Sequence, residues 1–299
     1  MTGKRQKLLR EAGGYLLFLA PAVILFLALE IVPLFLNIGY SLTNWDGISS
    51  KFSFVGLSNY VKLFTDDPRF WTSMVFTIKN SLVVVVFTNL LGLAFALGLS
   101  HRIPLRNFMR ASFYIPKVVG GVILGFVWQF IFSNIFPAIG QMTGWHVFQL
   151  QWLGTPETSF WAMAIVQVWS SAGYMMIIYV AGLQSVPGDL IEAAKIDGAN
   201  DREILFKIKI PMVMPSVTIC TFLTLTNSFK LFDQNVALTA GEPANASEML
   251  ALNIYNTFYG RSGAQWKGIG QAKAVVFFLI VVVISLIQLH FTRSKEVQQ

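Results

Sequence analysis

The sequence predicts an all-α integral membrane protein: a single transmembrane domain over residues 1–299, six membrane-crossing helices and both termini in the cytoplasm. Three observations carry this. First, 55% of the residues are hydrophobic and only 12% are charged, which is too apolar for a water-soluble chain of 299 residues. Second, six runs approach the roughly 20 apolar residues that a bilayer core demands. They lie at 15–42, 72–99, 111–136, 160–183, 212–232 and 271–291. A helix satisfies its own backbone hydrogen bonds in lipid, and the short alternating segments of a membrane barrel are absent. Third, the charges alternate sides. Lys4, Arg5, Lys7 and Arg10 precede the first run; Arg102, Arg106 and Arg110 follow the second; Lys195, Arg202, Lys207 and Lys209 follow the fourth; Arg293 and Lys295 end the chain. The intervening loops are poorer in Lys and Arg, so the positive-inside rule places the richer side in the cytoplasm. Topology thus accounts for the net charge of +7, and no nucleic acid is needed. Cys220 is the sole cysteine, so no disulfide framework exists.

The first run begins like a signal peptide but continues to Leu42, too far for a cleaved leader, and reads as an uncleaved span. Pro21 and Pro33 within it are expected to kink it. The second run carries Asn80, Asn89, Gly92 and Gly98, small and polar residues that suit close helix packing. The turn after it holds His101, which has no Cys, Asp or His at ligand spacing; neither a metal nor a cofactor is expected. The third run opens Tyr114-Ile115-Pro116-Lys117 and holds glycines at 120, 121 and 125. Two readings of Lys117 stand: a cation facing a substrate path, or a side chain snorkelling to the nearby interface. The fourth run is broken halfway by Gln167, Trp169, Ser170, Ser171 and Tyr174. Amides and hydroxyls with aromatic faces suit sugars, and they equally suit bonding between helices. The fifth carries Thr221, Thr224, Thr226, Asn227, Ser228, Lys230, Asp233, Gln234 and Asn235, more polar than a lipid-facing helix. Lys230 and Asp233, three residues apart, are expected to pair on one face; the alternative is a substrate-facing strip. The sixth run is rich in Val and Ile and reads as a packing or lipid-facing helix.

Residues 185–211 are the polar exception between two apolar runs. Pro187-Gly188 ends the fourth span. Asp189 and Glu192 have capping-box spacing, Gly198 suits a left-handed C-terminal cap, and Asn200 with Glu203 repeats the box. Ile204, Leu205 and Ile208 give the second helix an apolar face, and Pro211 is expected to close it. Two short helices around a glycine bend read as a docking element for a protein partner.

Glu192-Ala193-Ala194, then Gly198, then Ile208-Lys209-Ile210-Pro211 resembles the EAA loop of inner-membrane permease subunits of binding-protein-dependent ABC sugar importers, the maltose and glycerol-3-phosphate type. Ile210 stands where that family usually has Leu. Phe54-Val55-Gly56-Leu57 with Asn59-Tyr60, and Leu238-Thr239-Ala240-Gly241-Glu242-Pro243, resemble the outer segments of its sugar-permease branch, with Glu242 in place of a second glycine. The resemblance implies a multi-pass subunit of a bacterial or archaeal cytoplasmic membrane that translocates a carbohydrate by alternating access. It assigns Lys117, Gln167, Trp169, Ser170, Tyr174, Asn227, Ser228, Lys230 and Asp233 to the substrate pathway. Glu192, Ala193, Ala194, Asp197, Gly198 and Ala199 go to coupling. Its implied partners are two ATP-binding cassette subunits, a second and different six-span permease, and an extracytoplasmic solute-binding protein, which Tyr255, Phe258, Tyr259 and Trp266 would meet.

The sequence contains no phosphate-binding G-x-x-x-x-G-K-[S/T] loop, no H-E-x-x-H and no serine elbow. ATP hydrolysis therefore falls to the partners, and no catalytic residue is expected in this chain. A secondary transporter would show internal repeats and buried coupling acids, and a membrane enzyme would show a catalytic cluster. Neither needs a paired-helix cytoplasmic dock.

Overall fold

A computed structural model describes residues 18–100 and 104–294. Lys4, Arg5, Lys7, Arg10, His101, Arg102 and Lys295 lie outside these residues. Regular structure among the described residues is helical, with one isolated bridge between Thr43 and Phe54. The chain divides into two compact units, one drawn from Met1–Asp66 and Asn256–Val276, the other from Asp67–Tyr255 and Phe277–Gln299.

The helices of six residues or more, in order, are α1 Phe18–Ser41, α2 Ser58–Thr65, α3 Pro68–Gly98, α4 Arg106–Val118, α5 Gly121–Thr143, α6 Pro156–Gln184, α7 Gly188–Ile196, α8 Asp201–Met212, α9 Met214–Phe229, α10 Asp233–Leu238, α11 Leu250–Tyr255 and α12 Gln265–Arg293. Five of them, α1, α3, α5, α6 and α12, are long and apolar enough to cross a membrane, and α8 with α9 makes a sixth candidate bent by 63°.

Two expected spans are corrected. The run at 111–136 is not one helix: α4 stops at Val118, Val119 and Gly120 turn to extended backbone, and α5 starts afresh at Gly121. Lys117 therefore lies in the last turn of α4, outside the helices long and apolar enough to cross a membrane, and α5 runs past Pro137, where a loop was expected, to Thr143. Gly120, with no side chain to pack, occupies the break. The run at 212–232 is likewise shorter. The 16 residues of α9 rise about 24 Å, less than the hydrocarbon core of about 30 Å. Residues 230–232 then leave the helix before α10 begins.

Prolines act differently from expectation. Three of the four π-turns among the described residues, Leu27–Ile31, Ile131–Ile135 and Leu205–Lys209, end two residues before a proline: Pro33, Pro137 and Pro211; the fourth, Asn256–Gly260, does not. A proline in a helix has no N–H to give and its ring crowds the carbonyl four residues back. Widening the ladder just ahead of it moves that carbonyl aside. The helix continues through each site, so Pro211 does not close the second polar helix. The break comes at Val213.

In the larger unit α3 packs along α6. Gly92 makes this possible: a Cβ there would stand 2.9 Å from the Met175 Cβ and 3.3 Å from the Ala172 carbonyl. One helix turn away, the Tyr179 hydroxyl donates to Asn89 Oδ1 at 2.7 Å. Ala96, Met176, Val213 and Cys220 complete the apolar core there. Gly98, by contrast, has nothing within 4 Å of a Cβ and makes no such approach.

In the smaller unit the segment after α1 is pinned by Asn59. Its Nδ2 donates to the carbonyls of Ser41 and Thr43, each at 2.8 Å, and Tyr60 shares a hydrogen bond with Ser41 at 2.7 Å. Lys267 donates to the Phe258 carbonyl, and the Arg261 guanidinium lies 4.3 Å from the centre of the Trp266 ring.

Candidate functional site

A cavity of about 450 Å³ opens within the larger unit, between the end of α4, the start of α5, the middle of α6, and the end of α9 with the start of α10. Lys117, Gln167, Ser170, Asn227, Ser228, Lys230 and Asp233 all line it. The helix period explains the convergence on α6 and α9. Gln167, Ser170 and Ser171 lie three and four residues apart, as do Thr224, Asn227 and Ser228, so each set shares one face.

Two expected residues stand elsewhere. Trp169 is about 200° round α6 from Gln167, at about 100° per residue. It faces a separate apolar groove with Phe87, Leu91, Trp161 and Gly173 and packs edge-on against Trp128 at 5.4 Å. Tyr174 does not line the cavity directly; the Lys117 ammonium sits 5.9 Å from its ring centre. Ser171, Thr224 and Gln234, by contrast, line the wall without having been assigned to it. The first two were readable as i+4 and i−4 neighbours of Gln167 and Ser228.

The polar groups here are only partly used. Ser228 Oγ donates to Gln167 Oε1 at 3.4 Å. Gln167 and Gln234 are each 3% exposed, yet neither Nε2 has a hydrogen-bond partner within the described residues. Buried amide groups left in this way are costly unless something accepts from them. The expected Lys230–Asp233 pair does not form. α9 ends at Phe229, the two residues lie on either side of the break, and no ion pair joins them.

Glycine sets the spacing of the wall. A Cβ on Gly125 would lie 2.5 Å from the Ala237 Cβ, and one on Gly121 would lie 3.0 Å from the Asp233 Cβ. Bare backbone thus lets α10 settle on α5. Behind α10, buried Asn235 organises the turn that follows. Its Nδ2 donates to Thr239 Oγ1 and the Ser247 carbonyl, each at 2.9 Å, and its Oδ1 accepts from the Met249 N–H at 2.9 Å. Gly241 has φ +91°. Glu242 is not in the left-handed region; its carboxylate accepts from the Ala244 N–H at 2.7 Å.

At the other end of α6 and α9 lie α7 and α8. The expected Asp189 cap is absent. Pro187, in extended backbone, is the N-cap residue and the helix begins at Gly188, so Asp189 falls inside the first turn, where its charge meets the positive helix end. The C-terminus has a complete Schellman arrangement: Ala199 N–H donates to the Ala194 carbonyl at 2.9 Å and Gly198 N–H to that of Lys195 at 3.1 Å. Gly198 has φ +84°, which an L side chain resists. The second cap forms in full. Asn200 Oδ1 accepts from the N–H groups of Arg202 and Glu203, and Glu203 Oε2 accepts from the Asn200 N–H at 3.0 Å. That backbone N–H, followed by Lys207 at 3.0 Å, holds the Glu203 carboxyl below its ordinary range.

Ile204 anchors the pair at 2% exposure. Glu192, Ala193, Asp197 and Gly198 face outward, and Ala194 and Ala199 are half-buried. Ile196, which the sequence reading did not single out, is 85% exposed beside them, and Phe206 on α8 is 65% exposed. The signal was present, since Ile196 lies within about 60° of both Glu192 and Ala193 round α7, away from inward-facing Ile191.

Residues 88–297 match the family described as binding-protein-dependent transport system inner membrane component. Over 296 residues, 99% of each chain, the sequence is 44% identical to a probable starch degradation products transport system permease protein, AmyD, of Thermoanaerobacterium thermosulfurigenes. It is 32% identical over 292 residues, 98% of this chain and 99% of the other, to the multiple sugar-binding transport system permease protein MsmF of Streptococcus mutans. In fold it matches a chain of a bacterial ABC transporter involved in the import of the acidic polysaccharide alginate. The TM-score is 0.81 at 19% identity, over 97% of this chain and 99% of that one. The family match covers most of the chain, including all the helices that form the cavity except the first part of α3. The chain belongs to the inner membrane components of binding-protein-dependent transport systems, and its apolar helices are those of a multi-pass membrane protein.

Proposed function

We propose that this chain is one permease half of an ATP-driven carbohydrate importer, with both termini and the α7–α8 stretch in the cytoplasm. The observation that carries the reading is the polar cavity. Amide, hydroxyl and charged side chains from α4, α6 and α9–α10 converge on one space of about 450 Å³, a size suited to a small ligand, and two buried amide donors there lack acceptors. Sugar hydroxyls are acceptors as well as donors, and relatives that carry starch degradation products and multiple sugars support that class.

The outward row of Glu192, Ala193, Ile196, Asp197 and Gly198 is the dock for an ATP-hydrolysing subunit, with Ala194 and Ala199 forming its capped backbone. A second, different permease completes the pathway, and an extracytoplasmic solute-binding protein delivers the sugar; a homodimer is the alternative arrangement. ATP-driven closure of the cassette subunits moves α7 and α8, and the cavity is exposed to the two sides in turn. The test is uptake of labelled maltodextrins into cells carrying the complete transporter, with Gln167→Leu and Gln234→Leu. Uptake should fall while the assembled complex still purifies with its ATPases. Undiminished uptake in both variants would place the sugar elsewhere.

One observation favours a second reading, an anionic saccharide: Lys117 and Lys230 line the cavity without an ion pair. Competition of maltodextrin uptake by a uronic-acid oligosaccharide, and its loss in Lys230→Gln, separates the two.

A further inference from the structure

A second polar hollow, of about 530 Å³, lies at the opposite end of the larger unit's helices. Its wall is made where α3 and α6 finish, at Ser100 and Gln184, and where α7 and α8 begin to cross beneath them. Lys195 from α7 and Lys209 from α8 reach it from two separate helices, with Asp201 at the start of α8 between them in sequence. None of the three takes part in an ion pair among the described residues. The hollow thus holds two cations, one anion and no internal neutralisation of the excess charge.

Its depth is informative. Gly98 ends α3 and Gln184 ends α6, so the hollow begins where two spans leave the hydrocarbon. Bilayer headgroups occupy the next 5–7 Å or so. Leu97, Leu183, Ile191, Ile204 and Leu205 form the apolar part of its lining, so a ligand there meets hydrocarbon on one side and ammonium groups on the other. Free inorganic phosphate would use the lysines and waste the apolar wall. A basic pocket between membrane helices on the cytoplasmic side is the arrangement that takes the headgroup of an acidic lipid.

We infer that this hollow binds the phosphate group of an anionic phospholipid, with Lys195 and Lys209 as its charge partners and the lipid's chains against Leu97 and Leu183. The inference rests on the proposed topology only for which leaflet supplies the lipid. Binding itself does not depend on transport or on the identity of the sugar.

The experiment is lipid titration of the purified full chain in detergent, read by native mass spectrometry. Phosphatidylglycerol, phosphatidylcholine and inorganic phosphate are added in separate arms. Each lysine near the surface is worth about a fivefold change in affinity, so Lys195→Gln with Lys209→Gln should weaken phosphatidylglycerol about thirtyfold. Asp201→Asn, which removes the opposing charge, should strengthen it about fivefold by the same reckoning, and a merely unfolded hollow could not produce that gain. Phosphatidylcholine should bind more weakly than phosphatidylglycerol and be indifferent to all three changes. Equal retention of the two lipids, or phosphatidylglycerol binding unmoved in the double variant, overturns the site. Displacement of phosphatidylglycerol by equimolar inorganic phosphate overturns the lipid as its ligand.

Discussion

Gly125→Ala adds a single methyl group, and its effect follows from three distances. The new Cβ would lie 2.5 Å from the Ala237 Cβ, 3.1 Å from the Leu238 nitrogen and 3.2 Å from the Ala237 carbonyl carbon. Carbon atoms settle about 3.5–4.0 Å apart, so α5 and α10 must separate by about 1 Å. No rotamer change can relieve the contact, because every atom met is backbone or a Cβ. Overpacking of this kind costs about 1–3 kcal/mol. The displaced element is α10, whose first residues, Asp233 and Gln234, form the cavity wall. The assay pairs this variant with Gly120→Ala, five residues earlier. There a Cβ meets nothing within 4 Å, and the φ of −60° suits alanine. Thermal unfolding in detergent and sugar uptake by the complete transporter are measured for both. Gly125→Ala should melt earlier and transport less, and Gly120→Ala, whose methyl lies in the cavity lining, should melt with the parent. If the two variants melt and transport alike, the packing of α10 on α5 does not set the wall.

Other expectations follow from the same geometry. Gly198→Ala forces an L side chain to φ +84° at a cost of about 1–2 kcal/mol. It should leave membrane insertion intact while ATP hydrolysis by the assembled complex loses its dependence on substrate. Asn200→Ala removes a formed cap worth about 1 kcal/mol, which should appear as faster amide exchange at Arg202 and Glu203 and not in α7. Because the Glu203 carboxyl lies below its ordinary range in the folded chain, its contribution is complete above the unfolded value of about 4.3. It is lost as pH falls through the lower folded value. The protection factor of the Asn200 amide, with the intrinsic pH dependence of exchange divided out, should therefore fall on acidification in the parent, and Glu203→Gln should remove that pH dependence. Asn235→Leu removes the acceptor of the Met249 N–H and the donor to the Ser247 carbonyl. The loss of a buried network costs about 1–3 kcal/mol for each group left unpaired, and proteolysis between 239 and 249 should accelerate.

Much of this was legible in the residues because it was local. The Asn200–Glu203 cap and the Gly198 turn depend on side chains within a few positions of one another, and both form. The apolar runs at 72–99, 160–183 and 271–291 fall on α3, α6 and α12 to within about six residues at each end. What escaped was decided by contacts between distant segments or by backbone conformation. Hydrophobicity alone does not register that the backbone at Val119 and Gly120 turns extended, so 111–136 read as one span. Lys230 and Asp233 looked paired because the helix was assumed to continue through them. Trp169 was grouped with its neighbours by proximity in sequence, although the helix period already turned it away. Asp189 missed its cap because the helix starts at Gly188, two residues ahead of where an Asp189 cap would start it.

The bend at Val213 has a mechanical consequence. α8 continues through Pro211 to within one residue of α9, so under the proposed alternating access Val213 would be the hinge of an arm with Lys230 at its tip. Its length is about 24 Å. A swing of about 10° at the hinge sweeps the tip through about 4 Å, as an arc of that radius requires, more than the diameter of a water molecule. The turn of Asn200 and Glu203 clamps the root of α8, so under the proposed docking a torque at the exposed row would have little slack to take up before the arm moved. A helix too short to cross the bilayer alone is in this respect well proportioned: its free end stops at the cavity, where a small rotation at the membrane surface becomes a displacement the size of a hydroxyl contact.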